Sequence, residues 1–71
     1  MHTAEVLQWD LHGRDSHITF RAKREDDRYD MVMRGNDAVL LADVAPDVAA
    51  LLRKSQALRT QLLQLGYSPK P

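Results

Sequence analysis

The sequence predicts an α+β domain: a four-stranded antiparallel meander followed by one long C-terminal helix packed on one sheet face (ββββα). Three observations lead there. Apolar residues alternate in short runs before Pro46 and recur at three- and four-residue spacing after it. Clusters of turn formers separate the alternating runs, so neighbouring strands are joined by hairpins and run antiparallel. A single apolar arc on the helix covers one face of a sheet and leaves the other to solvent.

The first strand is expected over Glu5 to His12, with Leu7, Trp9 and Leu11 inward and Val6, Gln8, Asp10 and His12 outward. Gly13-Arg14-Asp15-Ser16 turns the chain into a second strand, His17 to Arg24, with Ile18, Phe20 and Ala22 inward. Pairing His12 with His17 sets Leu11 opposite Ile18, Trp9 opposite Phe20 and Leu7 opposite Ala22, an apolar match throughout. The acidic run Glu25-Asp26-Asp27 is the next turn, and Arg28 to Arg34 the third strand, with Tyr29, Met31 and Met33 inward. Pairing Ala22 with Tyr29 then sets Phe20 opposite Met31, Ile18 opposite Met33 and Arg21 opposite Asp30. Gly35-Asn36 tolerates positive φ and is expected as a hairpin turn into a short fourth strand, Ala38 to Ala42. That register sets Met33 against Ala38, Met31 against Leu40 and Val32 against Val39.

Proline at the first helical position loses no hydrogen bond, so the helix is expected to start at Pro46, with Asp47 at the positive end of its dipole and Gly66 as its stop. Val48, Leu51, Leu52, Ser55, Leu58, Leu62, Leu63 and Leu65 fall within an arc of roughly 160°. Ser55 lies near the centre of that arc, where a small side chain lets the helix approach the sheet. Residues 1–66 are read as a single domain and 67–71 as a flexible tail.

Composition narrows the function. The chain has 71 residues, ten Lys plus Arg against ten Asp plus Glu, three His and no Cys. A chain this short buries only roughly 60% of the surface its unfolded form exposes, so its stability is expected to be marginal without a metal, a disulfide or a partner subunit. The lack of cysteine excludes disulfides, thiol nucleophiles and Cys-ligated metals. No run approaches the roughly 18 to 20 apolar residues of a membrane span, and the start lacks the basic and apolar blocks of a signal peptide. A cytoplasmic protein without membrane contact is therefore expected. Ser16 falls in a turn and Ser68 in the tail, and no Ser/His/Asp or paired-carboxylate arrangement converges on a pocket. Gly13, Gly35 and Gly66 are too far apart for a phosphate loop. Neither an enzyme nor a cofactor is expected.

Binding residues are sought on the outer sheet face. Val32, Val39 and Leu41, flanked by Arg34 and Asp30, are read as an apolar patch for a protein partner, with the acidic tip Glu25, Asp26 and Asp27 as a second contact. Arg21, Lys23, Arg28 and Arg34 are the candidates for nucleic acid, although Trp9 and Tyr29, the aromatics that would stack on bases, point inward. His12 and His17, paired across a hairpin with Asp10 and Asp15 nearby, offer two imidazoles and a carboxylate to zinc or nickel. They lack the local spacing of a zinc motif, so no metal is expected. Leu52, Arg59 and Leu63 lie on one margin of the helical arc and are the expected seam of a homodimer.

Four meandering strands followed by one long helix is similar to the arrangement in PC4-like and Whirly-type single-stranded DNA binders, which are dimers or higher assemblies. The resemblance is one of topology and carries no residue across. It implies a single-stranded nucleic acid or DNA-binding regulator as the alternative function. The balanced charge favours the first, a small non-enzymatic regulator or adaptor that modulates a larger protein in the manner of a phage or mobile-element inhibitor or accessory subunit.

Overall fold

A computed structural model describes residues 4–70. The elements are β1 (Ala4–His12), β2 (His17–Glu25), β3 (Arg28–Gly35), β4 (Ala38–Ala45) and α1 (Val48–Gln64). The strands form one antiparallel sheet in the order β1-β2-β3-β4, with α1 across one face, as the sequence predicts. The β1/β2 register is the expected one, with Trp9 opposite Phe20 and His12 opposite His17, and a bulge at Val6. Among the described residues, no helix is long and apolar enough to cross a membrane.

The other two hairpins are offset from expectation. Glu25 is the last residue of β2, and Asp26-Asp27 alone make the turn, with Asp26 at φ 57°. The turn is centred one residue later than the expected pairing implies, which slides β3 by two residues, so Ala22 faces Met31, Phe20 faces Met33, and Lys23 rather than Arg21 faces Asp30. A two-residue slip keeps every side chain on its own face, which is why the core survives it. The next turn is Asn36-Asp37, not Gly35-Asn36, and its positive φ values of 49° and 72° are those of a type I′ hairpin. Gly35 stays in β3, where a Cβ would sit 2.7 Å from Leu40 Cδ1 and 3.1 Å from Ile18 Cδ1, so its bare backbone makes room for Leu40.

β4 runs three residues further than expected, to Ala45, and carries a bulge at Leu40. The extra residue reverses the alternation beyond it. Leu41, opposite Met33, and Asp43, opposite Met31, lie on the helix side, while Ala42, opposite Val32, and Val44, opposite Asp30, lie on the outer side. Lys54 of α1 meets Asp43 at 3.0 Å and also donates to the Val44 carbonyl. The Val44 N–H and the Lys54 ammonium hold the Asp43 carboxyl below its ordinary value. A group so depressed contributes stability that is full above the unfolded carboxyl pKa and lost as pH falls through the folded one. Asp43→Asn is therefore expected to flatten the fall in melting temperature below about pH 4, read by thermal melts across an acid series.

α1 starts at Val48 rather than at Pro46, and Asp47 caps it, its carboxylate accepting the Ala50 N–H at 2.8 Å. Gly66, at φ 103°, ends the helix in a Schellman motif, the Gly66 and Tyr67 N–H groups donating to the Leu63 and Leu62 carbonyls. The core is Phe20, Ala22, Met31, Ala45, Ala50 and Leu51, with Leu7, Trp9, Tyr29, Met33 and Leu58 packed around it. Trp9 stacks on Phe20 at 4.9 Å between centroids and donates to Ser55 Oγ at 2.8 Å. Beyond the helix, Tyr67 and Ser68 return to the β1/β2 hairpin. Ser68 pairs with His12 through two backbone hydrogen bonds, and the Tyr67 hydroxyl meets Ser16 Oγ at 2.8 Å. Pro71 lies outside the described residues.

Candidate functional site

The sheet face opposite α1 holds an open hollow of about 650 Å³. Thr19, Arg21, Lys23 and Glu25 of β2 line it together with Asp30, Val32 and Arg34 of β3. Strand alternation puts all seven on the outer side, and cross-strand pairing sets Thr19 beside Arg34, Arg21 beside Val32 and Lys23 beside Asp30. Long side chains on both strands form its walls, and half-buried Val32 lies between Arg21 and Ala42 on the neighbouring strands.

Its charges are unevenly matched. Arg28 pairs with Asp30 at 3.3 Å and Arg21 with Glu5 at 3.7 Å. Among the described residues, Lys23 and Arg34 have no ionic partner within bonding distance. A hydrogen bond with Asp30, reinforced by its charge, holds the Glu25 carboxyl above its ordinary value. The anionic pair thus lies toward the Asp26-Asp27 tip, while Arg21, Lys23 and Arg34 extend up the strands.

Beyond Val32 the outer face becomes apolar. Val39 is 55% exposed and Val44 45% exposed, with Ala42 between them on β4. This strip is the counterpart of the expected Val32, Val39 and Leu41 patch, with one correction. The bulge at Leu40 turns Leu41 to the helix side and puts Ala42 and Val44 in its place. The signal was in the chain: the Leu40-Leu41 doublet breaks the alternation that Ala42, Asp43 and Val44 then resume. β4 is also an edge strand with β3 as its one neighbour, and its single charged side chain, Asp43, points to the helix side. Its outer side therefore lacks the charged residues that commonly guard a strand edge.

Glu25 lies within the hollow rather than at the acidic tip, which consists of Asp26 and Asp27, both exposed. Of the four basic candidates, Arg21, Lys23 and Arg34 share the hollow, and Arg28 lies at the β3 start against Asp30. The margin of α1 is apolar and open at Leu52, 53% exposed, and Leu63, 37% exposed, with Arg59 half-buried between them. Asp10, His12 and His17 converge at the β1/β2 hairpin end. Asp15 contributes only its backbone carbonyl, which accepts from Asn36 Nδ2. In comparisons with known proteins, no family model, curated protein or solved structure matches the chain.

Proposed function

We propose that this protein is a small non-enzymatic regulator or adaptor that binds a larger protein through the outer face of its sheet. One observation carries the reading: the exposed strip Val39, Ala42 and Val44 lies on an edge strand, next to a hollow in which Lys23 and Arg34 lack ionic partners among the described residues. An extended segment of the partner adds to the β4 edge beyond the bulge and lays apolar side chains on the strip. An acidic side chain of the same segment meets Lys23 and Arg34. A homodimer seamed by Leu52, Arg59 and Leu63 belongs to the same proposal, supported by the exposure of both leucines.

The grouping of Arg21, Lys23 and Arg34 in one hollow favours a second reading, single-stranded nucleic acid held by its phosphates. The stacking of Trp9 on Phe20 beneath α1 weighs against it, because such binders commonly stack bases on exposed aromatics.

Capture from lysate of the source cells, with nuclease and at low and high salt, tests both readings. A protein that survives nuclease and high salt with the wild type, and is lost with Val39→Lys/Val44→Glu at unchanged circular dichroism, is the expected result. Recovery of nucleic acid, lost as salt rises, reverses the ranking. Sedimentation of the wild type at increasing concentration decides the homodimer, a monomer throughout ruling it out.

A further inference from the structure

Beyond the partner surface, the outer face carries a second constellation at the top of the β1/β2 hairpin. His12 and His17 are directly opposed, and their rings stack at 4.3 Å between centroids with 6° between planes. Both rings turn the same edge to one carboxylate oxygen: Asp10 Oδ2 lies 2.8 Å from His17 Nε2 and 3.7 Å from His12 Nε2. One donor atom from each of the three residues lies within 4.8 Å of the others.

We propose that Asp10, His12 and His17 bind one divalent late first-row metal ion, with zinc as its representative, through Asp10 Oδ2 and the two Nε2 atoms. Imidazole and carboxylate donors suit that class of ion, and three protein ligands leave a position for water. Metal–ligand bonds of about 2.0–2.1 Å in a tetrahedron set ligand atoms about 3.4 Å apart, a spacing bracketed by the 2.8 and 3.7 Å separations here. A lone pair lies in its ring plane, so binding tilts the two rings out of their stack toward a common point. Exposure of the His17 and Asp10 side chains, 48% each, leaves room for that motion. At His17 the metal takes the place of the Nε2 proton that bonds Asp10, and the ring keeps its proton on Nδ1.

The backbone prepares the geometry from both sides. The His12 N–H and carbonyl are both engaged by Ser68, on the outer side of β1. The His17 N–H donates to Asn36 Oδ1 and its carbonyl accepts from the Asn36 N–H, on the β3 side. Neither residue bonds the other across the ladder, so the two form a non-hydrogen-bonded pair, the type whose side chains come closest. Their Cα positions are therefore held from outside while the rings remain free to adjust.

Titration of the full chain with zinc chloride in a non-chelating buffer tests this, read by calorimetry and by imidazole ¹⁵N shifts. One zinc per chain is expected, with the Nε2 resonances of His12 and His17 moving together. His12→Ala, His17→Ala and Asp10→Asn are each expected to weaken binding about tenfold or more, with unchanged far-ultraviolet circular dichroism. Absence of zinc uptake at millimolar concentration overturns the proposal. So does uptake that persists in the His12→Ala/His17→Ala double variant, which would place the ion elsewhere, for instance at His2. The imidazole shifts are read on the wild type, so the test does not depend on any variant folding.

Discussion

Phe20→Ala is expected to unfold the domain at room temperature. The ring is fully buried, stacks on Trp9 and belongs to the central core cluster with Met31, Ala45 and Leu51. Truncating a buried phenylalanine costs about 3–5 kcal/mol through lost transfer energy and the cavity left behind. A domain of this size rarely has more than about 3–5 kcal/mol in total. Loss of the cooperative urea transition and of dispersed methyl resonances is the expected result. A variant that keeps its transition within about 1 kcal/mol of wild type would show that Phe20 is not the centre of the core.

Ser55→Leu is the second large effect. Ser55 is 5% exposed and its hydroxyl receives the Trp9 indole N–H, so two costs arise together. Leaving that N–H without a partner costs about 1–3 kcal/mol. Forcing a larger side chain between α1 and the sheet costs about another 1–3 kcal/mol. Ser55→Ala removes the hydrogen bond without adding bulk, so the expected order of stability by urea unfolding is wild type, then alanine, then leucine. Leucine equal to wild type would mean that the helix does not approach the sheet closely at this point.

The same residues explain what could be read from the chain. Alternation and turn chemistry were enough for the element order, the β1/β2 register and a close approach at Ser55, because local patterning specifies these features. The later registers depended on where each turn is centred. Asp26 accepts a positive φ without glycine, so the turn falls on Asp26-Asp27, centred one residue later than the expected pairing required. The Leu40 bulge left only the Leu40-Leu41 doublet as its mark, because bulges answer to sheet twist and neighbouring packing as well as to one strand's pattern. Its effect fell on the candidate site: it moved Leu41 out of the apolar patch and brought Val44 in. The opposition of His12 and His17 was legible, whereas the outside clamps from Ser68 and Asn36 were not, since each comes from a different hairpin or from the tail.

The contacts that span the most sequence converge on the first hairpin: Trp9 with Ser55, His12 with Ser68 and Ser16 with Tyr67. The three hairpins are local and can close as soon as they are made, but the sheet's apolar face has no cover until α1 and the strand-like segment behind it exist. Phe20 precedes Ser68 by roughly fifty residues along the chain. The cover of the sheet's apolar face, and the clamp on its first hairpin, therefore both come from chain made after all four strands.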